Sequence, residues 1–155
     1  MTGTGATLEE HAVALADAID AVLPAWVERC VRSRLTTVPR IVVVAAREAG
    51  EQARAEVGGA VRELLLRDVD DQRVNPLALL RAAVRYPTQV LLEAGATAVE
   101  RDKFSRERFP DDDFDLSPAN WSDIDPSLGE LGIAWGAAKA FVHKQRHAPR
   151  PTDGS

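Results

Sequence analysis

The chain of 155 residues is long enough for one domain with its own core, and 45 % hydrophobic with only 5 % aromatic residues favours closely packed helices over a sandwich or barrel. A formal net charge of −5 gives no general case for binding nucleic acid, and a single cysteine, Cys30, excludes an internal disulfide framework and fits a reducing compartment. The opening residues lack a basic and then apolar leader, and the longest apolar run, "IVVVAA", is far below the roughly 20 residues that span a bilayer, so a cytoplasmic chain without a membrane span is expected.

After a disordered start over residues 1–6, a first helix is predicted over about 7–35. Thr7 with Glu10 three residues on has the spacing of a capping box. Leu8, Ala12, Leu15, Ile19, Val22 and Trp26 alternate steps of four and three, a coiled-coil seam widened by Ala16, Leu23, Val27 and Cys30. Pro24 removes a backbone donor and predicts a kink. Pro39 opens a second helix over about 39–69, whose stripe Val42, Ala46, Ala49, Ala53, Val57, Ala60 and Leu64 has the spacing of a nearly straight helix. Asn75 and Pro76 cap and open a third over about 76–108, with Leu77, Leu80, Val84, Leu91 and Ala98 on one face and a kink at Pro87. If the second and third helices form an antiparallel hairpin, Gly58 and Gly59 face Pro87 and Tyr86.

Residues 109–136 then change character: six aspartates, three prolines and two of the three tryptophans, with no basic residue. An acidic, proline-rich strap over 109–125 is expected to fold back near Arg101, Lys103, Arg106 and Arg108, anchored by Phe114, Leu116, Trp121 and Ile124. Asp125 caps, and Pro126 opens, a short glycine-rich helix over 126–146. Gly129, Gly132, Gly136 and Ala140 bare one edge of it, so another helix is expected to lie flush against that edge. Residues 148–155 read as a disordered tail. The fold expected is all-α: a single domain over 7–147, an antiparallel bundle of three long kinked helices with the strap and the short fourth helix.

Catalytic chemistry is mostly argued away. Asp111, Asp113 and Asp115 occupy alternate positions as in a calcium loop, but Leu116 and Ser122 stand where glycine and glutamate are needed. "DFDLS" resembles a phosphoacceptor outline without a strand before it. His143 and His147 share a helix face as two metal ligands would, yet no third ligand follows them in the sequence, and no metal or other cofactor is expected. The Glu-x-x-His pairs of a di-iron bundle, a phosphate loop and a serine nucleophile elbow are lacking, so no enzyme is expected. Cys30, on an apolar face beside Trp26 and Val27, reads as a buried, unreactive thiol.

Two binding surfaces remain. Trp121 and Trp135, with Asp123, Asp125, Gly132 and Gly136 around them, have the composition of an interface hot spot for a partner protein or a second copy. Arg29, Arg32 and Arg40 at one bundle end are candidate phosphate contacts, with Glu28 and Glu48 opposing them. The segments "RYPTQVLLEAGATAVERDKF" and "SDIDPSLGELGIAWGAAKA", covering roughly the C-terminal half, resemble an uncharacterised family of small helical proteins of high-GC bacteria. That resemblance implies no activity. The expected function is a non-enzymatic protein–protein interaction or regulatory module, a homo-oligomer or a subunit of a complex. The alternative is a nucleic-acid-associated regulator using the arginine end; a metalloenzyme or a granule coat follows behind.

Overall fold

The computed structural model describes residues 6–110 and 112–148, so the expected disordered ends lie almost wholly outside the described residues, as does Asp111. The described residues form helices and no strand. Seven α-helices follow in order: α1 Leu8–Ser33, α2 Arg40–Ala53, α3 Gly59–Leu65, α4 Pro76–Leu80, α5 Arg85–Glu93, α6 Lys103–Arg108 and α7 Pro126–Arg146. No helix among the described residues is long and apolar enough to cross a membrane.

α1 is the central element. The Thr7 hydroxyl accepts from the Glu10 amide at 3.1 Å, and Glu9 and Glu10 sit favourably against the positive end of the helix. Ala12, Leu15, Ile19 and Trp26 of the expected seam are buried with the residues that widen it, and the most deeply buried, Leu15, Ile19, Leu23, Val27 and Val31, follow steps of four. Each such step turns about 40° further around the axis, so the buried row winds about 160° along the helix. A winding row needs neighbours on several sides, and α1 packs against α2, α3, α5 and α7. The helix runs on through Pro24 to Ser33. The backbone of Gly50 on α2 comes up against that turn: a β-carbon there would stand 2.9 Å from both the Pro24 Cα and its carbonyl oxygen.

The expected second helix is interrupted. A π-helical turn, Arg54–Gly58, separates α2 from α3. From Ala53 the buried positions continue as Val57, Val61, Leu64 and Leu65, so the expected Leu64 is buried while Val61 stands in place of the expected Ala60. A π segment holds more residues per turn than an α-helix and acts like one inserted residue, so Val61 takes the inward place that an unbroken α-helix would give Ala60. Gly58 faces Asp20 of α1, not Pro87, and Gly59 has open space beside it. Tyr86 instead donates its hydroxyl proton to the Glu56 carboxylate. The helix ends at Leu65, earlier than expected, and the Gln72 side-chain amide donates to the free carbonyls of Leu65 and Arg67 at 3.3 and 2.8 Å.

α4 starts as expected, with the Asn75 side chain accepting from the Leu77 amide at 2.9 Å and Pro76 in the first turn. The break before Pro87 takes the form of a 3₁₀ stretch, Arg81–Val84. Proline has no N–H for the carbonyl four residues back and its ring crowds that turn. The expected third helix does not run unbroken to Arg108. Gly95 adopts φ +79, its amide donates to Leu92, and the Ala96 amide donates to Leu91, a Schellman stop that closes α5 at Glu93. The chain beyond has no regular secondary structure until the short α6, capped by Asp102 accepting from the Ser105 amide at 2.7 Å.

Candidate functional site

The acidic strap is anchored from below and latched from the sides. Phe114 and Ile124 are fully buried in the core, and Leu116 and Trp121 pack half-buried against it. Asp112 is 2 % exposed, and its carboxylate accepts from the amides of Leu116 (2.8 Å) and Ser117 (2.7 Å). Asp115 takes a left-handed φ of 56, a conformation Asp tolerates better than most residues, in the turn that precedes those two amides. Four guanidinium groups donate to peptide oxygens along the strap: Arg29 to Ile124 (2.6 Å), Arg34 to Asp115 (3.3 Å), Arg81 to Pro118 (2.8 Å) and Arg101 to Phe109 (2.7 Å). Backbone oxygens, more than the aspartate side chains, are what the arginines grip.

This reassigns two sets of sequence candidates. Of the phosphate contacts, Arg29 is committed to the strap, while Arg32 and Arg40 stay exposed, and nearby Arg47 reaches Glu28 at 3.9 Å. Of the docking set, Asp125 caps α7, accepting from the Ser127 amide at 3.0 Å, and Asp123 accepts from the amides of Ala119 (2.8 Å) and Asn120 (3.1 Å). Trp135 is 6 % exposed, with the Lys139 ammonium 5.1 Å from its ring centroid. Trp121 lies on Gly132: a β-carbon at Gly132 would stand 2.3 Å from the indole Cδ1. The bare edge therefore receives an indole ring rather than a helix. Ser122 covers Gly129, and Gly136 has no atom within 4 Å. The expected exposed tryptophan hot spot is an internal clasp.

Beyond the clasp, α7 presents a different face outward. Ile133 is 73 % and Phe141 62 % exposed, and Ala137, midway between them, is exposed too. Steps of four place these three on one stripe. Glu130 precedes the stripe and Lys144 follows it, both exposed and neither in an ion pair among the described residues.

At its C-terminal end α7 meets the 3₁₀ turn Val69–Asp71 between α3 and α4. The Asp70 Oδ1 lies 3.3 Å from Nδ1 of His143 and 2.8 Å from Nε2 of His147. Arg146 binds Asp68 at 2.6 Å and reaches the other Asp70 oxygen at 3.4 Å. The hydrogen bond from His147, with the burial cost outweighed and Arg146 nearby, holds the Asp70 carboxyl below its ordinary range. Elsewhere, a groove of about 450 Å³ between α2 and α5 carries Glu48, Glu56, Glu93 and Tyr86, but no histidine or cysteine lines it. Burial pushes the Cys30 thiol up to about 12, which leaves it unreactive at neutral pH.

The chain matches no protein-family model, no curated protein and no solved structure. Its function is therefore argued from these surfaces alone. Sequence reasoning overlooked Asp112, Asp70 and the Ile133–Phe141 stripe. Only the last had a local signal, since apolar residues four and eight apart beside the glycine edge give α7 a second apolar face.

Proposed function

We propose that the chain is a non-enzymatic, self-associating interaction module, an antiparallel helical bundle that dimerises through the outward face of α7. The observation that carries this reading is the self-complementarity of that face. Ile133 and Phe141 are equidistant from Ala137 along the helix, and so are Glu130 and Lys144. Two copies of α7 paired antiparallel about a two-fold axis at Ala137 place each Ile133 against the other copy's Phe141. The same register sets each Glu130 against the other copy's Lys144. A closed isologous contact requires a patch that complements itself in this way. Alanine at the centre permits close approach, and the two large side chains supply the apolar area lost to water in the monomer.

Sedimentation equilibrium tests the proposal. Wild-type protein gives a concentration-dependent mass approaching twice 16.8 kDa. Ile133→Asp with Phe141→Asp gives the single-chain mass at every concentration, with helicity unchanged because both positions are exposed. A wild-type protein that remains at the single-chain mass, or a dimer that survives the double substitution, rejects it.

A further inference from the structure

We propose that Asp70, His143 and His147 form a binding site for a divalent transition-metal ion, with Zn²⁺ the ion whose chemistry suits the donors best. This stands apart from dimerisation and rests on a different observation: the fold supplies the third ligand that the sequence near the histidines lacks.

One ligand atom from each of the three residues lies within 4.8 Å of the other two. Ligands about 2.0–2.2 Å from a tetrahedral zinc are about 3.3–3.5 Å apart. His143 Nδ1 and Asp70 Oδ1 already have that separation at 3.3 Å, and His147 Nε2 stands a little inside it at 2.8 Å. Rotation of exposed imidazoles closes the remainder without moving the backbone. The ring centroids start 4.4 Å apart: His143 lies in the last turn of α7, and His147, the residue that caps it, is tied to that turn by its amide donating to the His143 carbonyl at 3.1 Å.

The carboxylate is also oriented. Its Oδ1 faces both imidazoles, while Oδ2 is turned towards Arg146, which Asp68 holds at 2.6 Å. Outer partners of this kind fix the direction of a metal-binding carboxylate. Arg146 also brings positive charge near the ion and lowers affinity, partly offset by Asp68. Two imidazole donors select against Ca²⁺ and Mg²⁺, which take oxygen ligands. With three protein ligands and all three residues exposed, a fourth position stays open to water. Ligation ties the end of α7 to the turn between α3 and α4, a cross-link between segments more than seventy residues apart in the chain.

Titration of the purified full chain with Zn²⁺, followed by calorimetry, tests the site, and Co²⁺ absorption reports the coordination. The expected result is one ion per chain, a tetrahedral Co²⁺ spectrum, and no heat with Mg²⁺ or Ca²⁺. His143→Ala, His147→Ala and Asp70→Asn each weaken Zn²⁺ binding by about tenfold or more. All three residues are exposed, so circular dichroism of each variant should match the wild type. Zn²⁺ binding unchanged in Asp70→Asn overturns the proposal, since it shows only the histidine pair acting as an adventitious chelate. So does an octahedral Co²⁺ spectrum or the absence of a saturable one-to-one phase.

Discussion

Adding one methyl group at Gly132 tests how α7 is clasped. A β-carbon there would stand 2.3, 2.6 and 2.7 Å from three atoms of the Trp121 indole. Carbon atoms settle at about 3.5–4.0 Å, so the ring must retreat by about 1 Å or more. Overpacking of this kind costs about 1–3 kcal/mol. Alanine also gains about 1 kcal/mol over glycine in a helix interior, which would mask part of the loss. Gly136, four residues on in the same helix, supplies the control, because nothing lies within 4 Å of its β-position. The propensity gain is common to both variants, so their difference isolates the clash. Gly136→Ala should be stabilised by about 1 kcal/mol, and Gly132→Ala should fall about 1–3 kcal/mol below it. Urea denaturation followed by circular dichroism, at one protein concentration, measures both. In a Trp121→Ala background the gap should close, because the indole is what the methyl meets. Two variants of equal stability, within about 0.5 kcal/mol, would refute the clasp.

Asp112→Ala leaves the half-buried amides of Leu116 and Ser117 without their acceptor, at about 1–3 kcal/mol for each group that stays dry; a denaturation midpoint unchanged from wild type would mean the carboxylate does not order the strap. Cys30 gives a pH dependence whose sign follows from its raised value. The unfolded thiol ionises from 9.0 upward while the folded one holds its proton to about 12, so stability is full below pH 9 and falls through the window between. The slope from this thiol is at most about 1.4 kcal/mol per pH unit, and Cys30→Ala should remove that share, leaving the fall contributed by Tyr86, whose hydroxyl is also pushed up by burial and by its bond to Glu56. A slope unchanged in that variant would assign it to other groups. Native Cys30 should likewise resist alkylation at pH 8 until denaturant is added.

How much of this was legible in the sequence divides by the range of the cause. Thr7, Asn75 and Asp125 act on amides two or three residues away, so their capping roles could be read directly, as could the turn-opening place of Pro76 and Pro126. Gly95 is equally local, but an apolar pattern that runs on to Ala98 masks it. The π turn was hidden in an average: a stripe near 3.67 residues per turn fits a straight helix, and the same positions fit an α-helix with one wide turn in it. Gly132 announced a close approach without naming the neighbour, and an indole filled the space reserved for a helix. Asp112 could not be told from Asp113 or Asp115, since its burial depends on the strap closing over the end of α1. Asp70 and the two histidines meet only through the packing of α7 against the turn after α3.

Charge reversal across the two-fold axis probes the proposed antiparallel pairing of α7 with a second α7. Glu130→Lys alone or Lys144→Glu alone sets like charges opposite each other at two symmetric places, which at up to about 1 kcal/mol per exposed pair weakens dimerisation by roughly tenfold. The double variant restores opposite charges at both places. Sedimentation equilibrium at low ionic strength should show each single variant dissociating and the double variant returning close to the wild-type constant. Single reversals that leave the constant unchanged, or a double variant weaker than either, would contradict the register and the interface with it.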